Sequence, residues 1–256
     1  RLSLDDQSGF ETMRGAVSMK RAAGEAPPEQ WLRLAAGAAE RLKNDAELIY
    51  WTRTWVQYYP KKDTWRLALG IFTDRTQLPQ DVAIDMFRLR RKTETLVSEA
   101  DYFDYLESMS VNGVILLPRE ALDTIGEGIA AGIISESTQF VREAKADATS
   151  GLADDEKSSA SREAKAVASN NARSILSAAD VAMNYGKFER AVELYDLAAA
   201  NGANANVTNM RKGIALYELG DMAGAKAAFS AVTGSPNAEV AGFWLLLIES
   251  DRSRVE

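Results

Sequence analysis

Three short runs in this chain have the residue types of reactive sites, and in each the spacing argues for something else. Gly126-Glu127-Gly128-Ile129-Ala130-Ala131 imitates a dinucleotide fingerprint. A phosphate-binding glycine turn must follow a strand and open a helix, however, and this run lies inside a helical pattern, so helix packing is the simpler reading. Gly220-Asp221-Met222-Ala223-Gly224-Ala225-Lys226 superficially resembles a phosphate loop, but its glycine spacing is wrong and no Ser or Thr follows the lysine. Asp154, Asp155 and Glu156 could offer oxygen ligands to calcium. No loop of alternating oxygen ligands with a central glycine surrounds them, and a solvated helix start is expected instead.

The chain has no histidine and no cysteine. That removes the commonest general base, the usual transition-metal ligand and all thiolate chemistry, and the reading implies no cofactor. What catalysis remains rests on carboxylates. Two of them across a helical cleft could cleave a glycosidic bond, which keeps an all-α carbohydrate-active enzyme as an alternative, although no pair stands in a recognisable constellation. Net charge is −7 with Lys and Arg interleaved among acids, so no basic stripe exists to neutralise a phosphate backbone and nucleic acid is not an expected partner. No apolar run reaches the roughly 18 to 20 residues that span a bilayer. The start at Arg1 suggests a processed or truncated product, which leaves export open.

These residues must be positioned by helices, because almost every segment reads at helical spacing and none alternates with period two over a strand length. The expected class is all-α, an α-solenoid of antiparallel hairpins. Residues 1–27 read as the end of an upstream helical repeat and linker, with a helix over 8–23. Residues 28–134 read as degenerate hairpins. Within them Trp31, Leu34, Ala35 and Ala38 face Leu48, Ile49, Trp51, Trp55 and Tyr59, and helices are expected over 62–73, 80–93, 101–111 and 119–133. The aromatic residues at 31, 51, 55, 58, 59 and 65 are mostly core on this reading, with a binding platform as the alternative. The apolar run Val114-Ile115-Leu116-Leu117 is expected to pack down rather than wave in water. Residues 135–170 read as charged connecting helices, broken at Gly151.

Residues 171–256 repeat at an offset of 34 positions: Ala179 returns as Gly213, Gly186 as Gly220, Phe188 as Met222, Ala191 as Ala225 and Tyr195 as Phe229. A period of this length is the signature of tetratricopeptide (TPR) hairpins. Small residues let the paired helices approach, and glycine suits the left-handed turn after each first helix. In that register Arg173, Leu176, Asp180, Met183 and Asn184, then Val207, Met210, Ile214, Tyr217 and Glu218, with Trp244 and Ile248, face a concave groove. Such a groove suits a peptide; packing against the capping helix is the bland alternative. The final helix, with Phe243 to Ile248 consecutively apolar, either covers the end of the stack or meets another chain.

The Asn184-Tyr185-Gly186 turn, Gly213-Ile214-Ala215-Leu216, Ala225-Lys226-Ala227-Ala228-Phe229 and the closing Phe243-Trp244 helix resemble the C-terminal part of a family of exported proteobacterial TPR proteins. Trp31-Leu32, Tyr58-Tyr59-Pro60, Trp65, Phe87-Arg88-Leu89 and Glu99-Ala100-Asp101-Tyr102 resemble its middle, so the likeness runs over most of 28–248. Val114 to Leu117 departs from the family pattern. The resemblance implies a periplasmic scaffold with no enzymatic residues, accompanying the TonB, ExbB and ExbD machinery or other cell-envelope components. The expected function is therefore noncatalytic binding of a protein or peptide through the concave face. A structural subunit of a larger envelope assembly, joined through the last helix, is a further alternative.

Overall fold

The computed structural model describes residues 7–255, with side chains placed for 8–251. Its architecture is all-α apart from one minimal hairpin, and the helices pack mainly on their neighbours in sequence. Loops 42–44, 185–187 and 219–221 are too short for anything but reversal of direction. The chain divides into two compact units.

The first unit comprises Arg1–Leu78, Arg90–Thr95 and Glu249–Glu256. It holds α1 (Gln7–Ala22), α2 (Glu29–Arg41), α3 (Asp45–Tyr58) and α4 (Lys62–Arg75). Ala35, Ala36, Ala38 and Ala39 give α2 a smooth face, against which Phe10, Met13, Leu48 and Trp51 bury. The aromatic run, expected to be mostly core, divides between the core and its margin. Trp51 and Trp65 are buried, while Trp31, Trp55, Tyr58 and Tyr59 are half-buried against the same cluster. Two of the latter are fixed by their polar ends: Trp55 Nε1 donates to Glu29 Oε1 at 3.0 Å and Tyr59 Oη to the Pro27 carbonyl at 2.8 Å. Leu34, expected on the apolar face, is 50% exposed, and Leu32 takes the inner place. Helical rotation puts 32, 35, 36 and 39 on one stripe and leaves 34 off it.

The second unit comprises Pro79–Leu89 and Leu96–Ile248. It takes most of α5 (Gln80–Lys92), then α6 (Glu99–Ser108), β1 (Ser110–Val111), β2 (Val114–Ile115), α7 (Pro118–Ala130) and α8 (Gln139–Ser169). There follow α9 (Ala172–Asn184), α10 (Phe188–Ala200), α11 (Ala205–Glu218), α12 (Met222–Ser230) and most of α13 (Asn237–Val255). The two strands were not expected. Asn112 and Gly113 both adopt positive φ, 52° and 78°, which is the turn that suits a two-residue hairpin. The run therefore alternates: Ile115 and Leu117 are buried, while Val114 and Leu116 are 53% and 55% exposed. Both edges are closed by side chains. The Gln80 amide donates to the Ser108 and Ser110 carbonyls, and Asp147 Oδ2 accepts from the Ile115 amide at 2.6 Å.

Residue 151 does not break the charged segment, for α8 runs unbroken through 31 residues. The glycine is a contact point instead: a Cβ there would lie 3.3 Å from the Pro118 ring at the start of α7. Asp154, Asp155 and Glu156 accordingly fall in mid-helix rather than at a helix start, and Asp155 is buried beneath Arg162 and the Tyr185 hydroxyl, which donates to it at 3.0 Å. Burial, and then that bond, pushes the Tyr185 hydroxyl up to about 12.

In α9–α12 the same turn appears twice. Gly186 (φ 68°) and Gly220 (φ 79°) each end a first helix. The Lys187 amide donates to the Ala182 carbonyl and the Asp221 amide to that of Leu216, a paired C-terminal closure that needs a left-handed residue. Gly213 sits under the Phe229 ring, so close that a Cβ would lie 2.6 Å from it. Helix α13 covers α11 and α12: Trp244 is fully buried, stacked on Phe229 at 5.5 Å and edge-on to Tyr217 at 5.6 Å.

Candidate functional site

Inside the second unit, charged side chains occupy positions that a helical stripe would give to apolar ones. Asp85 and Arg88, one turn apart on α5, pair at 2.9 Å. Arg88 also grips Glu120 of α7 with two parallel bonds of 2.8 Å. Tyr105 of α6 donates to the same carboxylate at 2.6 Å, and the Glu120 amide donates to Asn184 Oδ1 of α9 at 2.8 Å. On the other side Arg211 of α11 donates to Asp180 of α9 at 2.6 Å and lies 3.7 Å from Asp85, while Tyr195 of α10 donates to Asp180 at 2.8 Å. Trp244 Nε1 closes the arrangement on the Asp85 carbonyl at 3.3 Å.

Three carboxylates thus meet two guanidiniums. Burial raises the Asp85 carboxyl above its ordinary value against the pull of Arg211 and Arg88. For Arg88 burial opposes the charge most strongly, but attraction and hydrogen bonding to Glu120, with attraction to Asp85, together outweigh it, and the group lies well above its usual range. Arg211 is raised in the same way, with Asp180 and then Asp85 overcoming burial. Burial, then Asp180, lifts the Tyr195 hydroxyl.

This ionic cluster reaches the surface at a cleft of about 500 Å³ whose floor includes Asp180 and Arg211. One stripe of α9, Arg173, Ser177, Asp180 and Val181, forms a wall. Those positions recur every three or four residues, and the rise of an α-helix makes the wall about 12 Å long. The start of α5 contributes Gln80, Asp81 and Ile84; the α6–β1 corner contributes Met109 and Val111; and Leu116 and Leu117 come from the run into α7. Val111 is 43% exposed beside the exposed Leu116.

Of the residues read from the repeat register, Arg173 and Asp180 line this cleft. Leu176 is half-buried. Met183 and Asn184 are buried in the polar cluster, where Met183 Sδ accepts from the Tyr195 hydroxyl at 3.3 Å. Met210, Ile214, Val207, Ile248 and Trp244 are buried, and Tyr217 and Glu218 are half-buried. An open face at Met210, Ile214 and Trp244 is therefore not what the structure contains: Trp244 is seated on Phe229 and on the α5 backbone, and those side chains pack the interior. Sequence reasoning missed Asp81, Asp85, Tyr105, Glu120 and Arg211. The signal that could have found some of them was the Asp85/Arg88 pair inside an otherwise apolar stripe with Val82, Met86 and Leu89.

Neither a known protein family nor a curated protein matches this chain. Among the described residues no helix is long and apolar enough to cross a membrane.

Proposed function

We propose that this chain is a helical-repeat binding module of the TPR type that holds an extended segment of a partner protein in the cleft along α9, without chemistry of its own. The observation that carries the reading is the pairing of a 12 Å helical wall, about the reach of three or four extended residues, with exposed apolar side chains at Val111 and Leu116 in the same lining. Asp180 and Arg211 are spent on each other at the floor, which suits a rigid seat better than a proton relay. The period of 34 residues and the two glycine turns support the repeat assignment. On the resemblance to exported TPR proteins the partner is a periplasmic or envelope protein, with components of a TonB-type system first among the candidates.

A photoreactive benzophenone residue placed at Ser177 tests this in the native cell envelope. Capture of a partner from position 177, absent from the exposed control Lys157 on α8 and abolished by Leu116→Asp, is the expected result. Equal capture from both positions, or capture indifferent to Leu116→Asp, would overturn it.

A further inference from the structure

The cleft has a positive end and a negative end. Among the described residues neither the Arg173 guanidinium nor the Asp81 carboxylate has a hydrogen bond or ion pair, and both are exposed. Their places along the wall differ. The Asp81 carbonyl accepts from Arg211 at 3.5 Å, and Arg211 in turn holds Asp180, which puts Asp81 at the Asp180 end. Arg173 is seven residues earlier on α9, about 10 Å along the axis. The floor charges Asp180 and Arg211 are already paired with each other, so these two are what the cleft offers a ligand.

We infer, resting on the peptide-binding reading above, that the partner segment carries an acidic and a basic side chain about three positions apart with apolar residues between them. The acid faces Arg173 and the base faces Asp81. An extended chain advances about 3.3 Å per residue, so three residues cover the roughly 10 Å that separates position 173 from position 180 along α9. Successive side chains of an extended chain alternate faces, so the acid and the base point to opposite sides, toward α9 and toward the start of α5, and one of the two intervening side chains lies against Val111 and Leu116, the exposed apolar part of the lining.

The probe is a capped, fluorescent octapeptide with the core Glu-Leu-Val-Lys, compared by anisotropy with cores Gln-Leu-Val-Lys, Glu-Leu-Val-Gln and Gln-Leu-Val-Gln. At about 50 mM salt, where surface charges are weakly screened, loss of each exposed charge pair should weaken binding about threefold, and loss of both about tenfold. In Arg173→Gln the Glu and Gln peptides should bind alike, and in Asp81→Asn the Lys and Gln peptides should; both substitutions are at exposed positions, and circular dichroism should show an unchanged fold. If all four peptides bind the native chain equally, the charge assignment falls while the cleft reading stands. Binding of none of them overturns both. If sedimentation shows instead that Arg173→Gln dissociates a dimer of this chain, the occupant is a second copy and the inference is wrong.

Discussion

The two units solve the problem of fixing short helices with different materials. In α1–α4 the core is aromatic and alanine-rich, and the ion pairs Lys61–Glu29, Lys62–Glu94 and Arg75–Glu40 lie at its exposed margin. Glu47 is the exception, buried beneath Arg14, whose guanidinium covers the Tyr50 ring at 3.5 Å. The second unit places Asp85, Arg88, Glu120 and Arg211 within its core. Exposed pairs contribute about 0 to 1 kcal/mol each, whereas a buried network gains little net stability but costs several kcal/mol when one member is lost. Apolar packing tolerates sliding of one helix past another; a bidentate arginine does not. The contrast teaches that α5, α7, α9 and α11, the elements around the cleft, are held in one register by directional bonds.

The largest expected effect breaks that contrast directly. Arg88→Met leaves the Asp85 and Glu120 carboxylates buried without their partner and should cost about 3 to 5 kcal/mol in chemical denaturation. Lys62→Met, which removes an exposed pair with Glu94, should cost under about 1 kcal/mol. If Arg88→Met combined with Asp85→Asn and Glu120→Gln recovers much of the loss, the penalty was the stranded charge. Similar small losses for Arg88→Met and Lys62→Met would erase the distinction between the units.

A pair of glycine substitutions sharpens the comparison through packing, and here the two units should respond with opposite sign. Gly213→Ala drives a Cβ to 2.6 Å from Phe229, and overpacking of this kind costs about 1 to 3 kcal/mol. Gly70, in α4 of the first unit, has nothing within 4 Å of the place a Cβ would take. Gly70→Ala should therefore stabilise by about 0.5 to 1 kcal/mol, the ordinary helical preference. Stabilisation by Gly213→Ala would show that Phe229 does not press on α11.

Much of this was legible in the sequence where local rules decide. Proline and glycine punctuation brought α4 and α5 to within a residue or two of their expected ends, and the period of 34 predicted the turns at Gly186 and Gly220. The hairpin was not legible by periodicity because each strand is only two residues long; the Asn112-Gly113 pair was its one local sign. That Gly151 serves a close contact rather than a helix break involves Pro118, a distant neighbour that no local rule supplies. For the site, the register found Arg173 and Asp180 because both belong to the α9 stripe. Asp81, Val111 and Leu116 reach the same cleft from other elements, and charges such as Arg88 and Arg211 read as surface until their partners are known.

The smallest expected effect is a slope in stability rather than a step. The Asp85 carboxyl is raised above its ordinary value, about 3.9 for an aspartate in an unfolded chain, chiefly because burial disfavours its charge. Between that unfolded value and the raised native one the folded protein holds the proton more tightly than the unfolded chain does. Asp85's contribution is thus fully present below the unfolded value and declines as pH rises through the native one. Asp85→Asn cannot lose a proton, so its stability relative to the native chain should improve as pH rises through this window. The difference between the two proteins, measured by urea denaturation at a series of pH values, isolates this term from the exposed carboxylates common to both. A difference between Asp85→Asn and the native chain that falls with pH would mean that Arg88 and Arg211 dominate the site and that Asp85 is charged throughout.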